Sequence, residues 1–208
     1  MTLYNRVMKS VCSWLERKLF LKVSAEKTKV VRPTNGKFLG FTFYKDKTGW
    51  KCKPADDRKK RLYDKIRLVL CRRKAVALPL SVTFTKVNQI VRGWINYFSI
   101  GSMKTFIDIF GQWLRHRIRV IIIKQWKKGT RIYKNLQRIN EMFRMKMTEE
   151  DIRKVSGSRL GWYRRCGMSS CNYLLSPKIL GKANKRANRP GLVNPLDYYL
   201  LCKGKLSF

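Results

Sequence analysis

Acidic residues are scarce in this chain. Asp and Glu number 12 among 208 residues, against 48 Lys and Arg, so the formal net charge is +36. An excess of this size repels itself unless a polyanion neutralises it, which excludes an ordinary metabolic enzyme as the first interpretation. The abundant polyanions of a cell are nucleic acid and anionic membrane surface, and the composition predicts that one of them is the partner.

Long apolar runs and a secretion signal are also lacking. The longest unbroken apolar run, Tyr198–Cys202, has five residues, whereas a helix needs about 20 to cross a bilayer. The N-terminus shows no hydrophobic core of signal-peptide type. The positive charge is spread along the whole chain instead of clustering beside an apolar segment. We therefore predict a nucleic-acid partner, no membrane contact, no secretion, and a cytoplasmic (bacterial-type) or other intracellular location.

Histidine and closely spaced cysteines are too few to indicate a metal site. His116 is the single histidine, and of the six cysteines only Cys166 and Cys171 lie close in sequence, with no second pair to complete a zinc site. Disulfides are not expected without secretion. The sequence shows no phosphate-binding or dinucleotide-binding glycine loop, and one histidine leaves little from which to build a nucleophile and its base. We predict buried or half-buried thiols, no metal and no cofactor in this chain.

The adjacent carboxylates Asp56-Asp57 are similar to the paired catalytic aspartates of a polymerase. Two-metal polymerases hold paired aspartates on a hairpin between apolar strands. Here Pro54 precedes the pair and the basic run Arg58–Arg61 follows it, which is the context of a capped helix start. The pattern predicts a helix from this pair to about Ala75, and we predict no catalytic residue.

Hydrophobic residues make up 44% of the chain and aromatic residues 12%, which indicates a folded protein with a core. Apolar spacing predicts a helix over residues 5–20, followed by a turn and a short strand that ends near Val31. A strong strand is predicted over Phe38–Tyr44, and after a turn Trp50 and Cys52 continue a hairpin.

Two more long helices follow in the pattern. One is capped by Thr83 or Thr85, and the next runs from about Ser102 to Lys127. Three long helices joined by short loops should pack as a bundle. Shorter helices are expected over residues 131–165 and an irregular tail from residue 172. The predicted fold class is therefore mainly α with a small β remnant, a thumb-like three-helix bundle and shorter C-terminal helices. The predicted core stripes are Leu62, Ile66, Val69 and Leu70; Val87, Ile90, Val91, Trp94, Ile95 and Phe98; and Phe106, Phe110, Trp113, Leu114, Ile118 and Ile121.

The segment Trp113–Lys128 holds six Lys and Arg and no acid. Arg115 and Arg119 share one helix face, as do Lys124 and Lys128. A solvated face on a core helix is the plain alternative, but such faces usually mix charges of both signs. We therefore favour phosphate contact. The cations concerned are Arg115, Arg117, Arg119, Lys124, Lys127 and Lys128.

A second basic segment, Ser158–Gly167, interleaves aromatic residues with arginines. Aromatic rings can stack on unpaired bases while arginines hold the phosphates. Alternatively, Trp162 and Tyr163 anchor a short helix to the bundle, and the pattern does not choose between the two. The candidate nucleic-acid contacts here are Arg159, Trp162, Tyr163, Arg164 and Arg165.

Several of these stretches carry a family resemblance. Leu19–Val31 followed by Phe38–Phe41 resembles the end of the reverse transcriptase palm in group II intron-encoded proteins, where a Lys-Thr strand leads into an aromatic-Leu-Gly-Phe primer grip. Val91–Phe98, with the sequence Val-Arg-Gly-Trp-Ile-Asn-Tyr-Phe, resembles the signature of the maturase-specific domain, also called domain X or the thumb. The likeness continues in Trp113–Lys128, Arg131–Leu136, Leu175–Pro177 and Pro190–Val193.

The resemblance implies three parts. Residues 1–53 would be a palm remnant, residues 54–175 the X/thumb domain, and residues 176–208 an irregular tail. It implies structured intron RNA as the partner and adds two cations, Arg92 and Arg131, to the expected RNA contacts. The primer-grip-like residues would be Phe38, Leu39, Gly40 and Phe41.

The family's catalytic Tyr-Ala-Asp-Asp hairpin, its fingers and its endonuclease domain have no counterpart in this sequence. The expectation is therefore a C-terminal fragment that helps an intron to fold and splice and does not polymerise alone. In this family the intron RNA is itself the splicing catalyst, so the protein need only stabilise its fold. Mg²⁺ would be expected only for a complete family member or for the RNA.

Two other functions stay open. One is a generic basic RNA- or DNA-binding protein, which would bind unrelated RNAs equally well. The other is a thumb and primer-grip subunit of a split reverse transcriptase, which would need a separate fingers and palm polypeptide.

Overall fold

The structure, a computed structural model, describes residues 3–24, 28, 30–184 and 188–204. The chain divides into two compact units, Met1–Ala55 and Asp56–Phe208. The elements are α1 (Leu3–Leu19), β1 (Lys37–Phe38), β2 (Phe41–Asp46), β3 (Gly49–Pro54), α2 (Asp56–Val69), α3 (Arg72–Ala77), α4 (Leu80–Phe98), α5 (Lys104–Trp126), α6 (Gly129–Met142), α7 (Glu149–Gly157), α8 (Trp162–Gly167), α9 (Ser169–Leu174), α10 (Pro177–Gly181) and α11 (Pro195–Gly204). The fold is mainly α with a small sheet, as the sequence predicts.

The first unit contains the predicted N-terminal helix and a three-stranded antiparallel sheet in the order β1-β2-β3. The apolar side of α1 is open, since Val7, Val11 and Trp14 are each about half exposed. The short strand expected near Val31 is wrong for the described residues, because residues 30 and 31 lie outside any strand. The rest of that expectation, residues 25–27 and 29, lies outside the described residues.

The continuous strand predicted over Phe38–Tyr44 is also wrong, because a tight turn interrupts it. Leu39 and Gly40 both have positive φ, 50° and 84°, and Phe38 pairs directly with Phe41 across them. Two successive positive φ angles make a two-residue hairpin turn of the type whose twist matches the strands on either side. Glycine takes such angles at little cost, but Leu39 carries no sequence signal for them, so the apolar run conceals the turn.

The second hairpin is confirmed. β2 and β3 pair from Phe41 with Pro54 to Asp46 with Gly49. The Asp46 carboxylate closes the turn, accepting hydrogen bonds from the Thr48 backbone N–H at 2.8 Å and the Thr48 hydroxyl at 2.7 Å. Its ion pair with Lys51, followed by the two Thr48 hydrogen bonds, lowers the pKa of Asp46 to about 2.

In the second unit, α2 begins at Asp56 and Asp57 as predicted, with both acids in the first turn, where the positive end of the helix dipole favours them. The helix ends at Val69, however, and not near Ala75. Leu70 turns into the core, and a separate helix, α3, follows it. The amide of Gln125 on α5 donates to carbonyls of the α3 end, which a continuous helix would have used internally.

The caps predicted for α4 are wrong, although its apolar stripe is right. α4 starts at Leu80, directly after Pro79, so Thr83 and Thr85 lie inside the helix. The Thr85 hydroxyl donates to the Ser81 carbonyl one turn earlier, at 2.9 Å. Of the predicted stripe, Val87, Val91, Ile95 and Phe98 are buried, while Ile90 and Trp94 are half-buried.

α5 is the central helix of the second unit. Its C-terminal half is buried on all sides, since Ile118 and every residue from Val120 to Ile123 are inside. Its N-terminal half joins an aromatic cluster in which the Tyr63 ring packs edge-on to Phe110 at 5.3 Å and to Trp113 at 4.8 Å. The bundle core is therefore built mostly from the predicted stripes, of which Val69, Phe106 and Trp113 are only half-buried.

The C-terminal segment is partly helical in its described residues, 176–184 and 188–204, which corrects the expectation of an irregular tail over residues 176–208. α11 packs on both α4 and α5, with Tyr199 only 1% exposed and its hydroxyl donating to the Gly101 carbonyl at 2.9 Å. The buried amide of Asn88 clamps the segment before α11, donating to the Gly191 carbonyl and accepting from the Val193 N–H. Helices of five or six residues, such as α8 to α10, are too short to show a periodic pattern.

No helix in the described part of the chain combines the length and apolar character needed to cross a membrane.

Candidate nucleic-acid interface

Arg119, predicted on an exposed phosphate-binding face, lies inside the protein. It is 7% exposed, and its Nε donates to the Leu175 carbonyl at 2.9 Å while Nη1 donates to the Asn172 side-chain oxygen. The expectation of an exposed face is therefore wrong for this residue. Burial lowers the pKa of Arg119, but a guanidinium stays protonated at any physiological pH, so its charge is held by amide and carbonyl oxygens.

Arg115 shares that face, as predicted, and the face is covered by the C-terminal segment. Its Nη1 lies 3.4 Å from the side-chain oxygen of Asn194. Gly111 permits the close approach, because a Cβ there would lie 3.1 Å from Arg115 Nη1 and 3.5 Å from Pro195 Cδ. The helix spacing of the arginines was correct, and the covering segment was what the sequence did not reveal.

The Arg117 side chain does not share the face of Arg115 and Arg119 and lies between two aromatic rings. Its guanidinium lies 5.6 Å from the Trp113 ring centre and 6.0 Å from that of Tyr163. Tyr163 is 55% exposed, and its other neighbour is the His116 ring at 4.1 Å. A ring held edge-on by its neighbours while half open to solvent can accept a stacked base.

Trp162, by contrast, is half-buried and covered by its own helix. The Arg165 guanidinium lies 5.1 Å from the Trp162 ring centre and also donates to the Ser158 carbonyl. Trp162 and Arg165 thus help to anchor α8. The two flanking cations, Arg159 and Arg164, are exposed, and their contact with nucleic acid stays a prediction.

His116 should make stability sensitive to pH. Burial lowers the pKa of His116 below its ordinary value of 6.5, and the charges of Arg119 and Arg117 lower it further. The unfolded chain then binds a proton more readily than the folded chain, so stability is full above the ordinary pKa and falls as the pH is lowered through it. We expect the urea midpoint to fall between about pH 7.5 and 5.5.

The control is His116→Gln, which does not titrate. Because His116 is the only histidine, the variant should lose much less stability over that pH range than the unaltered protein. An equal loss in both proteins would show that other groups cause it.

Two basic segments that are distant in sequence meet at the C-terminal end of α5. The Gln125 amide there donates to the carbonyls of Ala75, Val76 and Leu78, the last at 2.8 Å, which fixes α3 beside it. The basic residues of α3 thereby join those that end α5 and begin α6. We call this set the basic corner: Arg72, Arg73, Lys74, Lys124, Lys127, Lys128 and Arg131.

All seven cations of the basic corner lack an ion pair with any carboxylate in the described part of the chain, and all but the half-buried Lys124 are exposed. The second unit does form such pairs elsewhere. On α7, Arg153 pairs with Glu149 at 2.7 Å and Lys154 with Glu150 at 3.2 Å. A cation without an acid partner gives up no ion pair when it binds a phosphate. The basic corner should therefore bind anions more strongly than the paired cations of α7 do.

A comparison with known protein families gives a match in this part of the chain. Residues 59–143 fit the family model of the group II intron, maturase-specific domain. This part of the chain is therefore similar to a group II intron maturase-specific domain. A search of curated proteins found no match to the chain.

The matched region runs from the first turn of α2 to the residue after α6. It includes the whole basic corner. Three of the corner residues, Arg72, Arg73 and Lys74, were not among the predicted contacts, although the run of nine Lys and Arg between Arg58 and Lys74 was a usable signal. The segment Ser158–Gly167 lies outside the match.

Arg92, on α4 within the matched region, is exposed, and its guanidinium lies 5.6 Å from the Tyr198 ring centre. The primer-grip-like residues lie in the first unit, at the turn between β1 and β2. There Phe38 and Leu39 are exposed, Phe41 is half-buried and Gly40 is buried.

Five of the six cysteines are buried or half-buried, as predicted. Cys166 and Cys171 are buried, and Cys12, Cys52 and Cys202 are intermediate, but Cys71 is exposed, which corrects the prediction for that residue. Within the described residues, no cluster of three or more His, Cys, Asp or Glu side chains is placed to hold a metal ion.

Proposed function

We infer that this chain binds the RNA of a group II intron through its maturase-specific domain and stabilises the folded form that splices. The observation that carries this proposal is the basic corner, seven cations without acid partners inside the region that matches the family. Each phosphate that a Lys or Arg neutralises releases condensed counterions, which supplies most of the affinity for a structured RNA.

Shape supports the same conclusion. The corner is built from the ends of three helices held together by packing and by the Gln125 amide, so its charges lie on a rigid support. A rigid cationic surface fits a folded RNA whose phosphates have a fixed arrangement, because little side-chain and backbone freedom is lost on binding.

Removing part of the corner should weaken RNA binding in a salt-dependent way. We expect Lys127→Ala, Lys128→Ala and Arg131→Ala together to reduce intron RNA affinity and to flatten the log–log salt dependence by about 2–3, the loss of three phosphate contacts. The melting temperature should change little, since exposed charges contribute little to stability. The measurement is the dissociation constant across a salt series.

The matched control removes two cations that already have acid partners, Arg153→Ala with Lys154→Ala on α7. That variant should keep the salt slope of the unaltered protein. If the triple variant binds as tightly as the unaltered protein at every salt concentration, the basic corner is not the RNA contact.

Specificity separates a maturase from a generic basic protein. At matched salt, an unrelated structured RNA of equal length should compete poorly against the intron RNA, and the protein should accelerate splicing of the intron at limiting Mg²⁺. Equal competition by both RNAs would reduce the proposal to non-specific RNA binding.

A further inference from the structure

The second unit contains a groove along α6 that the basic corner does not use. Its larger cavity, of about 1020 Å³, lies between the start of α4, the end of α5, α6 and α10. A smaller cavity of about 450 Å³ shares four wall residues with it, Met142, Phe143, Ile179 and Lys182. The two cavities adjoin at these residues, and we call them together the α6 groove. The Lys182 Nζ lies 4.5 Å from the Phe143 ring centre between them.

The charge of the α6 groove is one-sided. Arg138, Lys182 and Arg189 line the larger cavity, and Arg144, Lys178 and Lys182 line the smaller one, while no acid is among the described lining residues of either. Arg138, Arg144 and Lys178 form no ion pair with a described residue. The Arg189 Nε is buried without a hydrogen-bond partner. Cations in this state attract a chain of phosphates.

The lining residues of the α6 groove also include aromatic rings and a side-chain amide, which can stack on and hydrogen-bond to a nucleobase. Trp126 and Phe143 line the larger cavity and are both half-buried, which leaves ring surface for stacking. Between them along α6, the side chain of Asn135 lines the cavity and has no hydrogen-bond partner among the described residues. A side-chain amide has both donors and an acceptor, and so matches the mixed donor and acceptor edge of an unpaired base.

We propose that the α6 groove holds two consecutive unpaired nucleotides of the bound RNA, with one base in each cavity and Phe143 between them. The combination of rings, an amide that no described protein group occupies and cations without acids is the chemistry by which proteins recognise single-stranded RNA. An acidic peptide would use the cations but not the rings or the amide. The proposal rests on the RNA binding inferred above and adds a site for unpaired bases to a surface that binds phosphates.

Two substitutions that remove no charge test the groove. Phe143→Leu keeps the apolar volume but removes the ring, and Asn135→Leu removes the amide at similar size. Phe143→Leu should weaken binding of a short single-stranded oligoribonucleotide by about 5- to 100-fold, the range for one lost base stack. Asn135→Leu should weaken it by about 2- to 10-fold, the range for one lost hydrogen bond, and the salt slope should stay unchanged in both. The matched control is Gln137→Leu, on the same helix but outside the lining residues, which should bind as the unaltered protein does.

A direct readout uses oligoribonucleotides that carry a photoreactive uridine. The full-length protein should form crosslinks in the peptides that contain Trp126 and Phe143, and a fully duplex RNA of the same length should not produce them. Crosslinks found only in other peptides would overturn the proposal even if one of the substitutions affected folding.

The outcomes separate this proposal from the proposed function. If both groove variants bind single strands as the unaltered protein does while the triple variant of the basic corner loses intron RNA, the groove proposal fails and intron binding stands. If poly-glutamate and unlabelled RNA of equal charge displace the oligoribonucleotide equally, the groove recognises only negative charge and the proposal fails. If the unaltered protein binds no intron RNA at low salt, the proposed function fails, and with it the groove proposal.

Discussion

Arg119→Ala should destabilise the protein by roughly 2–4 kcal/mol, because it removes charge-assisted hydrogen bonds and leaves a buried carbonyl without a donor. The guanidinium bonds to the Leu175 carbonyl and to the Asn172 side chain from a position that is 7% exposed. It joins the central helix α5 to the segment between α9 and α10, so its loss should loosen that segment. The measurement is the free energy of unfolding from urea denaturation.

Two controls sharpen this result. Arg131→Ala removes an exposed cation of the basic corner and should change stability by less than about 0.5 kcal/mol. Arg119→Lys should fall between the unaltered protein and the alanine variant, since one ammonium cannot reproduce the planar fork that reaches two acceptors. Arg119→Ala with the stability of the unaltered protein would mean that this arginine does not hold Asn172 and Leu175 against α5.

Phe110→Ala should cost roughly 3–5 kcal/mol, the range for a large aromatic side chain removed from a core. Phe110 is fully buried, and its ring packs against Tyr63 at 5.3 Å, Trp113 at 6.0 Å and Phe106 at 6.2 Å. The cavity left behind would be lined by rings that belong to both α2 and α5. A loss of this size consumes much of the stability of an ordinary domain.

The adjacent residue provides the comparison for Phe110. Ile109 lies on the same helix and is 57% exposed, so Ile109→Ala should cost well under 1 kcal/mol. Both variants are measured by urea denaturation monitored by circular dichroism. Similar losses in the two variants would show that α5 does not direct this face into the core.

Two pairs of cations, one on α5 and one at its C-terminal end, show how packing decides the role of a charge. Arg119 is held by Asn172 and Leu175, and Arg115 faces Asn194. Lys124 and Lys128 instead belong to the basic corner. In sequence the two pairs have the same spacing and the same surroundings. Only the position of Asn172, Leu175 and Asn194, at least 50 residues further along the chain, separates a structural cation from one that is free to bind phosphate.

Local patterns predicted the helices well where these were long. The stripes of α4 and α5 led to the correct core because burial repeats with the helix period over many residues. The ends were less accurate, since Pro79 and not a threonine precedes α4, and α2 ends where Leu70 turns into the core. Helix ends depend on partners for a few backbone groups, such as the carbonyls that Gln125 satisfies, and those partners come from elsewhere in the chain.

Composition and short repeating patterns were enough to predict the mainly α class, the bundle core, the basic character and the resemblance to a maturase-specific domain. They could not predict which cations are free, because that depends on how distant segments pack. Packing places α3 beside the end of α5 to form the basic corner, covers Arg119 with Asn172 and Leu175, and forms the α6 groove beside Asn135 and Phe143. These features arise from contacts between distant segments, whose energies depend on packing and desolvation that no local pattern encodes.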